Sequence, residues 1–159
     1  MSEPAPLAAD DRSPYTHVMV GTDGSVTAVQ AVRHAALLAV ACRARLTVVS
    51  AYTRREGTVA ELVPPESDSW MVTDAAAANE HVIEGQALAR SVGVDVVGAR
   101  TEAGDPSAVL LDLAAEVGAD VIVVGSMGMA APTRFVLGSV PNRVSHHANC
   151  DVIIVRTGD

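Results

Sequence analysis

Short apolar runs and long helix-forming runs alternate along this chain. "HVMVGT" at 17–22 predicts a strand, and "VTAVQAVRHAALLAVAC" at 26–42, built of good helix formers, predicts a helix. The β-branched "RLTVVSAY" at 45–52 predicts a second strand. Residues 53–70 hold Gly57, Pro64, Pro65 and mixed charge, and predict a long surface loop or lid. A helix is expected over 71–93, with Trp70 and Met71 beginning it against the sheet, then a strand over "VDVVGART" at 94–101. "DPSAVLLDLAAEVG" at 105–118 carries a helix start, with Asp105 as N-cap and Pro106 at the first helical position. A strand at 119–126, a helix at 139–148 and a closing strand "DVIIVRT" at 151–157 complete the pattern.

Strands alternating with helices in this way predict an α/β architecture, a mostly parallel sheet covered on both faces. Unbroken apolar runs such as "VIVV" and "VIIV" suit strands buried on both sides. Right-handed crossovers require the chain to reverse direction across such a sheet, and ligands bind at the strand carboxyl ends where the order reverses.

Composition narrows the function. A length of 159 residues fits one domain, expected over 16–159, behind a disordered tail at 1–15 that carries three prolines. The net charge of -8 and the lack of any basic run argue against a nucleic-acid partner. The chain has no lysine, which excludes a phosphate-loop lysine. "GTDGSV" after the first strand is not the GxGxxG of a dinucleotide site. Cys42 and Cys150 match no metal or redox spacing and are expected as buried thiols. With no signal-peptide pattern and no apolar run near the roughly 18 residues of a membrane span, the expected location is the cytoplasm.

The candidate chemistry lies in "GSMGMAAPTRFVLGSV", residues 125–140. Gly125 ends the fourth strand, Gly128 lies in the next loop, and Gly138 precedes Ser139, expected as N-cap of the last helix. Glycine lets backbone approach a ligand closely, and a helix N-terminus offers unpaired N–H groups with partial positive charge. Either half alone is ordinary turn and cap chemistry; the combined spacing at the expected crevice points to an anion cradle. Asp23-Gly24-Ser25 suits either a ligand contact or a strand-to-helix turn, and Arg134 either a phosphate contact or a solvated surface. Ser145, His146 and His147 form no catalytic or metal set, because adjacent histidines point to different sides of a helix.

The spaced motif, GxxG, nine residues, then G with Ser, resembles the nucleotide-binding signature of the universal stress protein family. "VMVGTDGS", "VVSAY", "ADVIVVGSMG" and "GSVPNRVSHHANCDVIIV" follow in the family's order and extend the resemblance over about 16–156. It implies a flavodoxin-like, doubly wound five-stranded parallel sheet of order 3-2-1-4-5 in an α/β/α sandwich. It further implies a homodimer through the closing strand, 151–156, and ATP or cyclic AMP between the first and fourth strands, with magnesium accompanying ATP.

Carried over residue by residue, Asp23 lies near adenine or ribose with Thr22 beside it, and Ala51 lines the adenine pocket. Gly125, Ser126, Met127 and Gly128 pass under ribose and phosphates, and Gly138, Ser139 and Val140 donate to phosphate. Pro141 departs from the Thr or Ser of many ATP-binding members and removes both a hydroxyl and a backbone N–H. Such a charge-assisted donor is worth roughly 1.5–3 kcal/mol, so its loss favours a cyclic nucleotide over a triphosphate. The expected function is a nucleotide-binding stress-response regulator. A slow ATPase or autophosphorylating enzyme and a non-binding dimeric scaffold are the alternatives. With no lysine and no acidic pair near the motif, efficient phosphoryl transfer is not expected.

Overall fold

The computed structural model describes residues 13–54, 74–126 and 137–157. The lid expected over 53–70, apart from Thr53 and Arg54, the helix start at Trp70 and Met71, and Met127, Gly128 and Arg134 lie outside them.

The chain order is β1 (His17–Gly21), α1 (Val26–Cys42), β2 (Arg45–Tyr52), α2 (Ala75–Val92), β3 (Val97–Ala103), α3 (Pro106–Val117), β4 (Val121–Gly125), α4 (Ser139–His147) and β5 (Asp151–Val155). The five strands form one sheet in the order β3-β2-β1-β4-β5, with every pair parallel, as the resemblance implies. Successive strand residues feed opposite faces. Val18 and Val20 pack with α1 and α2, whereas Met19 between them packs with α3 and α4.

Small residues set the spacing of the layers. The sheet-facing side of α1 is Ala28, Ala31, Val32, Ala35, Ala36 and Ala39. At Gly85 of α2 a methyl group would come within 2.8 Å of Val48 Cγ1, so this helix lies closer to the sheet than any other residue would permit.

Three helices begin as their cap residues dictate. The side chains of Ser25, Asp74 and Asp105 accept from the N–H groups of Ala28, Ala77 and Ala108, and Pro106 stands at the start of α3. The last helix differs from expectation: its N-cap is Gly138 and Ser139 is already its first helical residue, with no side-chain cap bond. The third strand also begins later than expected, at Val97 rather than residue 94. Gly93 closes α2 with φ 118°, and the Val94 N–H turns back to the Ala89 carbonyl. Val94 is thereby occupied in ending a helix, its side chain buried under the turn.

At the amino-terminal end of the sheet, Asp120 clamps the entry to β1. Its Oδ2 accepts from Thr16 N (2.6 Å), Thr16 Oγ1 (2.8 Å) and His17 N (2.8 Å). These bonds, the Thr16 backbone first, hold its carboxyl below the usual carboxylate range. Tyr15, which composition assigns to the tail, packs against the core and donates its hydroxyl to Asp151 Oδ2 at 2.9 Å. Among the described residues no helix is long and apolar enough to cross a membrane.

Candidate functional site

β1 has β2 on one side and β4 on the other, and the helices that follow them in the chain, α1 after β1 and α4 after β4, pack on opposite faces. A cleft therefore opens at their carboxyl ends, as expected for a doubly wound sheet. It contains about 840 Å³ of empty space, open solvent at its mouth included.

One wall is the turn after β1. Thr22 N donates to the Val49 carbonyl at 2.8 Å, which carries the chain on past the last strand pairing. Asp23 Oδ1 then accepts from Ser25 N (2.9 Å) and Thr22 Oγ1 from Gly24 N (3.2 Å). Gly24 needs its lack of a side chain twice over: its φ is +78°, and a methyl group there would overlap the His81 ring of α2. Asp23 thus performs the turn chemistry that the sequence allows, and it also lines the cleft.

The floor and far wall are apolar. Val49, Ala51 and Tyr52 come from β2, Val109 and Leu110 from α3, and Val124 from β4. Gly21 leaves room for Leu110, whose Cδ1 would lie 3.0 Å from any methyl group at that position. This slot suits a flat, largely apolar ring.

The polar wall is the start of α4, where Val140 and Pro141 line the cleft. The Gly138 N–H, expected to face phosphate, donates instead to the Ser126 carbonyl at 3.0 Å. Ser126 is likewise engaged with its neighbours: its N–H donates to the Val155 carbonyl (2.8 Å) and its Oγ accepts from Thr157 N (3.0 Å). Helix geometry leaves the N–H groups of Ser139 and Val140 without intrahelical acceptors, and Pro141 has none to offer. No basic side chain lines the cleft among the described residues. Arg143, one turn along α4, points its Nη1 to Asp105 Oδ2 at 3.5 Å. The Ser107 hydroxyl, more than Arg143, holds the Asp105 carboxyl below its usual range.

Of the residues singled out from sequence, Thr22, Asp23, Ala51, Gly125 and Val140 line the cleft together. Ser126 and Gly138 brace its rim through backbone bonds, and Ser139 stands at the helix start. Sequence reasoning misses Tyr52, Val109 and Leu110, as well as Gly104 and Pro106, which also line it. The cap signal of α3 could find the last two, because every strand-to-helix loop lies at the strand carboxyl ends.

Relatives agree with this fold. The sequence model of the universal stress protein family matches residues 14–156. A universal stress protein of Mycobacterium tuberculosis is 38% identical over 147 residues, covering 91% of this chain and 99% of its own length. A putative universal stress protein of Staphylococcus haemolyticus is 34% identical over 145 residues, covering 90% and 86% respectively. Among solved structures, a universal stress protein in complex with cAMP superposes with a TM-score of 0.70 at 32% identity, over 91% of this chain and 98% of that one. The protein UspA of Lactobacillus plantarum gives 0.73 at 26% identity, over 89% and 98%. With a family match across nearly its whole length and the strand order that the family's fold requires, this chain belongs to the universal stress protein family.

Proposed function

We propose that the cleft binds an adenine nucleotide carrying a single phosphate charge, cyclic AMP in preference to ATP, and that the protein is a nucleotide-responsive regulator in stress. The observation that carries this reading is the charge balance of the cleft. Its described lining contains one carboxylate, Asp23, and no cation, while α4 offers two helix-start N–H groups at Ser139 and Val140. A cyclic phosphodiester, with one charge, is matched by two amide donors and a helix dipole. A triphosphate brings several charges and finds no cation among the described lining residues.

The base fits the apolar slot between Ala51 and Leu110, with the ribose toward Thr22 and Asp23. The 32%-identical neighbour in complex with cAMP supports the ligand class. Among the described residues no three His, Cys, Asp or Glu side chains cluster as metal ligands. Magnesium would have to arrive with ATP, meeting Asp23 alone in the described lining, so no catalytic step is assigned to it. The apolar edge strand β5, with Val152, Ile153 and Ile154 partly buried, supports pairing with a second copy along 151–156.

The test is calorimetric titration of the purified chain with cyclic AMP and with ATP plus magnesium, on a sample whose mass is measured by sedimentation. Cyclic AMP is expected to bind at least about tenfold more tightly, to a particle of twice 16.4 kDa. Equal or reversed affinities would remove the charge argument, silence for both ligands would favour the scaffold reading, and a particle of one chain mass would remove the pairing.

A further inference from the structure

Helix α1 is built inside out. Its sheet-facing side is mostly alanine with Val32, whereas four of its six larger aliphatic residues are exposed: Val26 80%, Leu37 52%, Val29 45% and Val40 42%. A helix held only by its own domain shows the reverse pattern. Residues 26, 29, 33, 37 and 40 fall within an arc of about 80° at 100° per residue, forming one continuous stripe with Arg33 at its centre. Two exposed apolar pairs, Val26 with Val29 and Leu37 with Val40, thus flank Arg33 along one helix face, a pattern that suits an interaction site.

The charge of the stripe opposes that of the chain. The protein carries a net charge of -8, yet α1 contains no Asp or Glu, and its one charged residue is Arg33. Gln30 and His34 beside it are exposed as well. We propose that the outer face of α1 docks an acidic amphipathic helix of another protein, with apolar residues three and four apart and a carboxylate between them that meets Arg33.

Two other occupants fit less well. The stripe is symmetric about Arg33, with positions four and seven residues away on each side, so an antiparallel pairing with a second copy would bring two Arg33 side chains together. A membrane-lying helix needs a cation-rich polar face, and this one offers a single arginine on an acidic protein. A partner helix instead satisfies both parts of the pattern, apolar contact through Leu37 and its neighbours and charge complementarity at Arg33. The inference stands independently of the nucleotide reading.

The probe is a fluorescent stapled helix of about 18 residues, leucines spaced as in the stripe and glutamates flanking them, compared with the same helix bearing lysines. Titrated with the full chain, the glutamate peptide is expected to bind at least about tenfold more tightly than the lysine peptide. Arg33→Glu is expected to reverse that order, and Leu37→Ser to weaken both peptides with only a small drop in Tm, since about half of the side chain is exposed. Equal binding of the two peptides, binding of neither, or an order unchanged by Arg33→Glu would overturn the proposal. Self-association that Leu37→Ser abolishes would assign the face to a second copy. Sedimentation with anionic phospholipid vesicles, lost in Leu37→Ser, would assign it to lipid.

Discussion

The two ends of the one sheet use their polar groups in opposite ways. At the amino-terminal end, a single carboxylate oxygen of Asp120 takes three donors from Thr16 and His17. His17 is itself buried with Nε2 2.7 Å from Thr47 Oγ1. At the carboxyl end the helix α4 starts without a side-chain cap, and Val140 and Pro141 of its first turn line a cleft. The first arrangement ties the entry of β1 to Asp120, whereas in the second, helix geometry leaves the N–H groups of Ser139 and Val140 without intrahelical acceptors. Polar groups that satisfy each other report on stability; polar groups that the fold leaves unsatisfied in a concave place report on binding.

That contrast is broken most directly by filling the cleft. Ala51→Trp is expected to reduce cyclic AMP affinity by at least about a hundredfold, or roughly 2.7 kcal/mol, with Tm nearly unchanged, because the added ring extends into space that the fold does not use. Calorimetry and a thermal melt on the same preparation check both halves. Gly24→Ala tests whether the turn beside the cleft is also structural. A side chain at φ +78° pressed upon His81 is expected to cost about 2–3 kcal/mol of stability. Combining it with His81→Ala should restore the part due to contact, measured by denaturant unfolding, and leave the backbone strain.

At the other end, Asp120→Asn is expected to cost about 1–2 kcal/mol, with nucleotide affinity unchanged. The pH dependence follows from the direction of two shifts. Asp120 is depressed in the fold, so its contribution is present above the unfolded carboxylate value near 3.9 and is lost as pH falls through the folded value. Burial, and after it Arg45, lowers His17. The unfolded chain therefore binds its proton more readily, and stability declines once pH drops below about 6.5. Urea midpoints between pH 3 and 8 should show both declines in the parent chain, and Asp120→Asn should show a smaller lower one, the remainder belonging to carboxylates such as Asp105.

The smallest effect sharpens the ligand class. Pro141→Thr returns an N–H and a hydroxyl to the polar wall and is expected to raise the affinity of ATP relative to cyclic AMP by about tenfold. A ratio that does not move would show that Pro141 has no part in the selection.

Much of the fold is legible in local patterns of residues. Periodicity and cap residues place all nine elements, because "VIVV" cannot alternate and "DPS" starts a helix whatever surrounds it. The differences fall where tertiary contacts override local signals. Val94 reads as strand but is held by the Gly93 turn, and Ser139 reads as a cap although the Gly138 backbone takes that place through its bond to Ser126.

What the sequence determined by itself is the alternation of elements, their apolar faces and the glycines and N-caps between them, since these depend on residues a few positions apart. The tertiary structure alone decided that Val109 and Leu110 of α3 meet Ala51 of β2 across one slot, and that the Gly138 N–H is turned away from it. It also decided that Val26, Val29, Leu37 and Val40 of α1 face outward while Val32 and most of its alanines face the sheet. Helical spacing defines two opposite faces on α1, and only the distance at which the sheet stops the helix selects which of them is buried.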